Sequence, residues 1–475
     1  MKEYLIHNVT TVTGDSAAIG SIAIKDGRIE ELWRPEADNT VIYGDRRIPF
    51  AGLAAQYASD HPEAEIMEMP GMAAFAGGID AHVHFREPGM THKADIGSES
   101  LAALLGGVTS FMDMPNTNPP TTSSARLAEK LELAEGRSWA NYGFHIGATN
   151  GNREELEVMS RDEGAADRPG RHDFGGIKVF MGSSTGNMLV DDSNALDSLF
   201  RIKEKEILVH SEDEVTIRKN LADAEARYGE DIPFSAHKDI RSRRACVIST
   251  VKALEMAMKH GTRLHLLHVT TAEEVQMIRV AKGINPLITA ETSANYLWFC
   301  SDDYDRLGSM VKCNPSVKDA GDRAALREAL RTGIIDTIGS DHAPHLLSEK
   351  ERKYLQAPSG LPSIRQTLPV LLTMASEEGI PFTRIASVFS EKAAEMFGIR
   401  DRGFLRKGYM ADITIVAPDE EYTVTEDTDG YRCGWTPYEG MRLKGRIKAV
   451  FLNGELCVKD GKTTKNSPSG QRLVF

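Results

Sequence analysis

Cysteine is scarce in this chain: five residues, Cys246, Cys300, Cys313, Cys433 and Cys457, stand far apart, with no Cys-x-x-Cys pair. Such spacing excludes a disulfide framework and a thiolate zinc site, and a reducing cytoplasm is the expected setting. Long apolar runs are missing too. Nowhere do about 18 uninterrupted apolar residues occur, so no membrane-spanning helix is expected. The opening Met1-Lys2-Glu3-Tyr4-Leu5-Ile6-His7 lacks the apolar core of a signal peptide, and export is not expected. Blocks of lysine or arginine are absent as well. With 56 Lys and Arg against 69 Asp and Glu, the net charge is -13, which excludes a general phosphate-binding surface for nucleic acid. The expected partner is a small ligand or a protein.

What is present is alternation. The chain has 475 residues, enough for an α/β barrel of about 250 residues with additions. Short apolar strands are predicted over Phe75 to Phe85, Val108 to Met114, Tyr142 to Ala148, Gly176 to Met181, Glu206 to His210, Arg263 to Val269, Pro286 to Ala290 and Ile334 to Ser340. Amphipathic stretches such as Ser98 to Leu105, Ala125 to Ala134, Ala245 to Lys259 and Arg323 to Arg331 lie between them. Eight such units predict an α/β fold, a closed (β/α)8 barrel over residues 71–400. The ends have a different texture. Tyr4 to Ile24, then Tyr409 to Val416 and Ile447 to Val458 around the turn Asn453-Gly454, read as strands. Residues 1–70 and 401–475 are therefore expected to build one small β-sandwich domain together. Pro35 to Glu65 reads as an irregular surface insertion.

Titratable residues recur at the strand ends, where barrels of this kind carry their chemistry. His82 and His84 close the first strand and, by alternation, face the same way, as two ligands of one metal ion must. His210 ends the fifth strand, His268 the sixth and Asp341 the eighth. Any one of these could be a hydrogen-bonded core histidine or a helix-capping acid, but their coincidence at one rim points to a metal centre. His265 falls on the opposite face from His268 by the same alternation and is left out. Lys178 sits inside the fourth strand. An ammonium there, beside metal cations, would be repelled and costly to desolvate. As a neutral amine it can add carbon dioxide to form a carbamate, an anionic bridge between two metals. Two divalent ions bring about +4, and carbamate, Asp341 and a hydroxide each return -1, leaving a site near +1 that suits an anionic substrate.

At these residues the chain resembles the amidohydrolase superfamily, and within it the long bacterial type of dihydroorotases. The carrying strings are His82-Val83-His84-Phe85-Arg86-Glu87-Pro88-Gly89, Met112-Asp113-Met114-Pro115-Asn116-Thr117, Gly176-Ile177-Lys178-Val179-Phe180-Met181-Gly182-Ser183-Ser184-Thr185-Gly186 and Ser340-Asp341-His342-Ala343-Pro344-His345. The resemblance spans Gly71 to about Gly440. It implies two zinc ions per subunit, held by His82, His84, Lys178, His210, His268 and Asp341 and bridged by N6-carboxylated Lys178 and hydroxide. It also implies a substrate carboxylate gripped by Arg86, Asn116 and His345, with Asn314 against the ring. Asp341 would be the catalytic base and acid. The implied reaction interconverts dihydroorotate and N-carbamoyl-L-aspartate in pyrimidine synthesis, and relatives are commonly dimers, so a homodimer or higher homo-oligomer is expected.

Two strings depart from the family. After the seventh strand many dihydroorotases read His-His-Leu, whereas this chain reads Ser293-Ala294-Asn295-Tyr296-Leu297, closer in its Tyr-Leu to hydantoinases and allantoinases. Arg243 and Arg244 stand where acidic residues are expected. A hydantoinase or allantoinase would share the metal chemistry without the carboxylate clamp. A non-catalytic scaffold homologue would usually have lost ligands, and a mononuclear deaminase would not need Lys178.

Overall fold

The computed structural model describes residues 2–165, 168–182, 188–425 and 430–475. Among them, eight parallel strands form the barrel: Gly78–Val83, Val108–Asp113, a third strand in two pieces (Asn141–Phe144 and Ile146–Gly147), Gly176–Phe180, Glu206–His210, Leu264–Leu266, Ile288–Thr292 and Thr337–Ile338. The ring closes where the main chain beyond the eighth strand pairs with the end of the first: the His84 amide donates to the His342 carbonyl (2.8 Å) and the Asp341 amide to the His82 carbonyl (3.0 Å). These closing bonds bring His82, His84 and Asp341 together.

Helices cover the outside because their apolar stripes have no other partner. Asp95 caps Ile96–Leu105 and Thr271 caps Ala272–Ile284, each through a side-chain oxygen on the amide three residues on. The outward strand faces (Val83, Val108, Phe111, Ile177, Val179, Val209, Leu264, Leu266) join the helices in one continuous core. A second cluster joins Ile79, Ala81, Met112, Leu208 and Leu267 to Leu473 and Phe475 of the C-terminal segment.

Both chain ends enter one nine-stranded sheet. Its order is Lys462–Thr463, Glu455–Lys459, Arg446–Leu452, Ile413–Ala417, Ala73–Ala76, Tyr4–Val12, Ala17–Lys25 and Arg28–Trp33, with Glu65–Glu68 also pairing to Tyr4–Val12. Tyr4 and Phe451 lie on strands separated by two others, yet their rings meet at 5.1 Å, so the sheet curls over its own core. At the expected turn, Asn453 (φ 53°) and Gly454 (φ 81°) take the left-handed pair that a tight hairpin requires.

Two expectations are corrected. The single strand foreseen over Phe75 to Phe85 is two strands in two sheets, Ala73–Ala76 in the small domain and Gly78–Val83 in the barrel. The chain crosses between them at Gly77, where a Cβ would lie 2.2 Å from the Thr109 hydroxyl, so only glycine fits. The stretch from Pro35 to Glu65 is not irregular. It forms the hairpin Thr40–Tyr43/Arg46–Pro49 and the helix Leu53–Asp60, whose Tyr57 packs against Leu5 and Ala23. Among the described residues, no helix is long and apolar enough to cross a membrane.

Candidate active site at the barrel mouth

The strand ends deliver their side chains to one cavity lined by His82, His84, Lys178, His210, His268 and Asp341, with Arg86 and Asn314 at its edge. The Nε2 atoms of His82 and His84 stand 3.4 and 3.1 Å from Asp341 Oδ1. One ligand atom from each of these three residues lies within 4.8 Å of the others, a spacing that could hold a metal ion. Opposite them, His210 Nδ1 and His268 Nε2 face each other at 2.9 Å. Three of the residues that build the site take left-handed backbone angles rare for side-chain-bearing residues: Arg86 (φ 69°), His268 (φ 38°) and Asp341 (φ 49°).

The histidines are aimed from behind. His82 Nδ1 meets Glu291 Oε1 at 2.7 Å, His84 Nδ1 meets Asn116 Oδ1 at 2.8 Å, and His210 Nε2 meets Glu212 Oε2 at 2.9 Å. An acceptor behind one ring nitrogen keeps the proton there and turns the lone pair of the other nitrogen inward, as metal ligation requires. Arg241 pairs with Glu212 in turn. Burial would raise the Glu212 carboxyl, but Arg241 and His210 outweigh it and hold it down to about 2. Burial pushes His84 down to about 4 and lowers His210 and His268 too, so all three rings are neutral at ordinary pH. For Asp341, burial acts upward, yet His82, His84 and Lys178 overcome it and keep the carboxylate ionised.

Lys178 is wholly buried, its Nζ 4.7 Å from the centre of the Phe180 ring. Burial lowers it to about 7 against the pull of Asp341 and Glu291, so an uncharged amine is accessible near neutrality. The donor set therefore fits divalent metal: two neutral imidazoles oriented from behind (His84 and His210), a third neutral ring (His268) whose buried Nδ1 has no partner, a fourth imidazole aimed by Glu291, an ionised carboxylate and a lysine able to shed its proton.

The rim has the opposite character. Arg86 is buried, its Nε donating to the Pro344 carbonyl at 3.0 Å and its Nη2 standing 3.0 Å from His345 Nε2. Burial lowers this guanidinium only to about 10, so it remains a cation. Asn314 Oδ1 is buried without a hydrogen-bond partner at the cavity edge. Asn116 and His345 stand behind the lining: Asn116 touches His84, and His345 touches Arg86. Ser183 to Gly186 of the Lys178 string lie outside the described residues.

Alternation misplaced His265. It too points into the barrel, with Nδ1 2.8 Å from the Thr289 hydroxyl, one layer below the cavity. The regular strand stops at Leu266, and the left-handed turn at His268 brings its ring round to the same side. Glu291 was missed because the seventh strand runs to Thr292, two residues past its expected end. Glu212 carried a legible signal: it follows His210 by two residues, the spacing that relates His84 to His82. The Tyr-Leu string does not line the cavity. Tyr296 Oη donates to the Pro315 carbonyl at 2.8 Å and braces the turn that carries Asn314, and Asn295 bonds to the Ser340 carbonyl. Arg243 is explained by Glu273 and Asp322, which it bridges at 2.5 Å each; nothing in the structure explains Arg244.

The profile of the amidohydrolase family matches residues 73–457. A dihydroorotase of Methanosarcina acetivorans is 33% identical over 86% of this chain and 88% of its own. An allantoinase of Bacillus velezensis is 31% identical over 87% of this chain and 90% of its own. Among solved structures, the L-hydantoinase (dihydropyrimidinase) of Arthrobacter aurescens superposes with a TM-score of 0.88 at 25% identity, covering 100% of both chains.

Proposed function

The chain belongs to the amidohydrolase family, and within it we propose that it is a dihydroorotase, opening dihydroorotate to N-carbamoyl-L-aspartate and closing it in the reverse, biosynthetic direction. Two zinc ions would be held by His82, His84, His210, His268, Asp341 and the carbamate of Lys178. Bound metal would supply Lewis acidity, making a water nucleophilic near neutral pH and drawing charge from the ring carbonyl. The rest falls to the chain's own side chains. Arg86, a buried cation at the rim, grips the substrate carboxylate with two parallel hydrogen bonds. Asn314 Oδ1, the unpartnered acceptor, takes a ring N–H. Together they set the scissile amide over Asp341. The ionised Asp341 accepts the proton of the attacking water on its carboxylate oxygen and returns it to the departing amide nitrogen. His84 and His210 keep their protons on the nitrogens that face Asn116 and Glu212, away from the reaction.

The observation that carries this reading is Arg86, which holds its charge although buried and has no carboxylate bonded to it among the described residues. A guanidinium so placed needs an anion from the ligand. Steady-state turnover of dihydroorotate, hydantoin and allantoin by one zinc-loaded preparation is the test. Dihydroorotate is expected to give the highest kcat/KM, and preference for either uncharged ring would overturn the assignment.

A further inference from the structure

His345 is held between more donors than an imidazole can satisfy. Its Nδ1 lies 3.0 Å from Lys93 Nζ, and its Nε2 lies 3.1 Å from the Ser359 carbonyl and 3.0 Å from Arg86 Nη2. Lys93 is mostly enclosed, with 13% of its side chain exposed, and Glu349 Oε1 at 2.9 Å pairs with its charge. Lysine and arginine only donate, and a carbonyl only accepts. A proton on Nδ1 would free Nε2 to accept from Arg86, but it would set N–H against N–H at Lys93, with Glu349 Oε2 no nearer than 3.8 Å, and leave Ser359 without a donor. A proton on Nε2 serves both Lys93 and Ser359. The doubly protonated ring is ruled out by burial and by Arg86, Lys93 and Lys350, which press it well below its usual range.

We propose that Lys93 is a positioning residue that fixes His345 as its Nε2–H tautomer, so that His345 offers Arg86 no acceptor and leaves the Arg86 Nη2 hydrogens for a substrate carboxylate. The inference rests on the dihydroorotase reading and deepens it by assigning what selects the anionic ring. With Nε2 protonated, Arg86 Nη2 and His345 Nε2 confront each other as donors 3.0 Å apart. A substrate carboxylate gives Arg86 Nη2 the acceptor that His345, its one N–H held by the Ser359 carbonyl, cannot, whereas an uncharged ring without that group gives none. Discrimination thus comes from an unpaired arrangement that only the right ligand completes.

The test compares the zinc-loaded wild type with Lys93→Met and Lys93→Arg. Affinities for orotate, a flat ring bearing the carboxylate, and for uracil, the same ring without it, are read by calorimetry, together with bound zinc and the thermal midpoint. Lys93→Met is expected to weaken orotate by about tenfold or more, the loss of one charge-assisted hydrogen bond, with uracil, zinc and midpoint unchanged. Lys93→Arg, also donor-only, should recover orotate to within about threefold of wild type. In 15N-histidine spectra, the His345 proton should lie on Nε2 in the wild type and move to Nδ1 in Lys93→Met. An unchanged tautomer in Lys93→Met, or equal weakening of both ligands, overturns the proposal. A wild type that fails to turn over dihydroorotate, yet whose orotate affinity falls in Lys93→Met, would remove the dihydroorotase reading and leave the role of Lys93 standing.

Discussion

The floor and the rim of the cavity are built on opposite electrostatic plans. On the floor, His82 and His210 are backed by the buried acids Glu291 and Glu212, and burial disfavours a side-chain cation, lowering Lys178 to about 7. At the rim, Arg86 and Lys93 converge on His345, and the carbonyls of Pro344 and Ser359 supply acceptors without supplying charge. A floor lined with acceptors is ready for a cation, and a rim lined with donors is ready for an anion. The reaction proposed here needs both within one cavity.

The sharpest way to break the contrast is at the residue that would turn the floor anionic. Lys178→Ala is expected to lose bound zinc and lower kcat/KM by about a thousandfold, roughly 4 kcal/mol of metal-derived stabilisation. Short carboxylic acids, occupying the place of the carbamate, should restore part of the activity. A variant with full metal and full turnover would remove the bridging role. The same residue gives a pH dependence. With Lys178 at about 7, the neutral amine that adds carbon dioxide prevails above that pH and is lost below it. Reloading of the stripped protein with zinc and bicarbonate should therefore slow by about tenfold per pH unit below 7. A rate flat from pH 5 to about 8 would show that this amine does not limit assembly.

Next is the rim. Arg86→Met is expected to cost about a hundredfold in kcat/KM for dihydroorotate, carried mainly by KM, with zinc content near that of the wild type. Loss of zinc in this variant would mean that the two plans are not separable.

How much of this was legible in the sequence depends on whether a side chain is placed by its own strand or by a distant one. His82, His84 and His210 stand where local alternation put them, because parallel strands present every second residue to the lumen. Asp341 was found at a strand end although its strand is only Thr337–Ile338, since closure against His82 fixes it there. His268 was chosen as a strand end although its backbone has left the strand for a left-handed turn, and alternation counted from it wrongly turned His265 away from the lumen. Lys93 was invisible. Nothing in Met90-Thr91-His92-Lys93 distinguishes it from a solvated loop, and its partner His345 lies 252 residues on. In the fold, the polar residues 35–65 hid an ordered hairpin and helix because only a few positions, such as Val41, Leu53 and Tyr57, are buried. The residues behind the ligands are the least legible part, for their role exists only once the barrel has closed.

Glu291→Gln tests that closed arrangement on the floor. It keeps the shape and removes the charge behind His82, and a loss of roughly 10 to 100-fold in zinc affinity is expected. Titration with a competing chelator reads it. Wild-type affinity would show that the amide orients the ring as well as the acid does, and that the charge of the floor is dispensable.

The smallest effect is expected at Asn314, where floor meets rim. Its Oδ1 is buried and unpartnered, so the wild-type cavity bears a desolvation cost that a ring N–H offsets on binding. Asn314→Ala removes both the cost and the contact, leaving a net loss of about 1 kcal/mol, fivefold or so in KM, with kcat, zinc and the affinity for a carboxylate alone unchanged. The outcome separates the two plans: an equal fall in zinc would assign Asn314 to the floor, a fall in carboxylate affinity would assign it to the rim, and the expected result gives it to the ring between them.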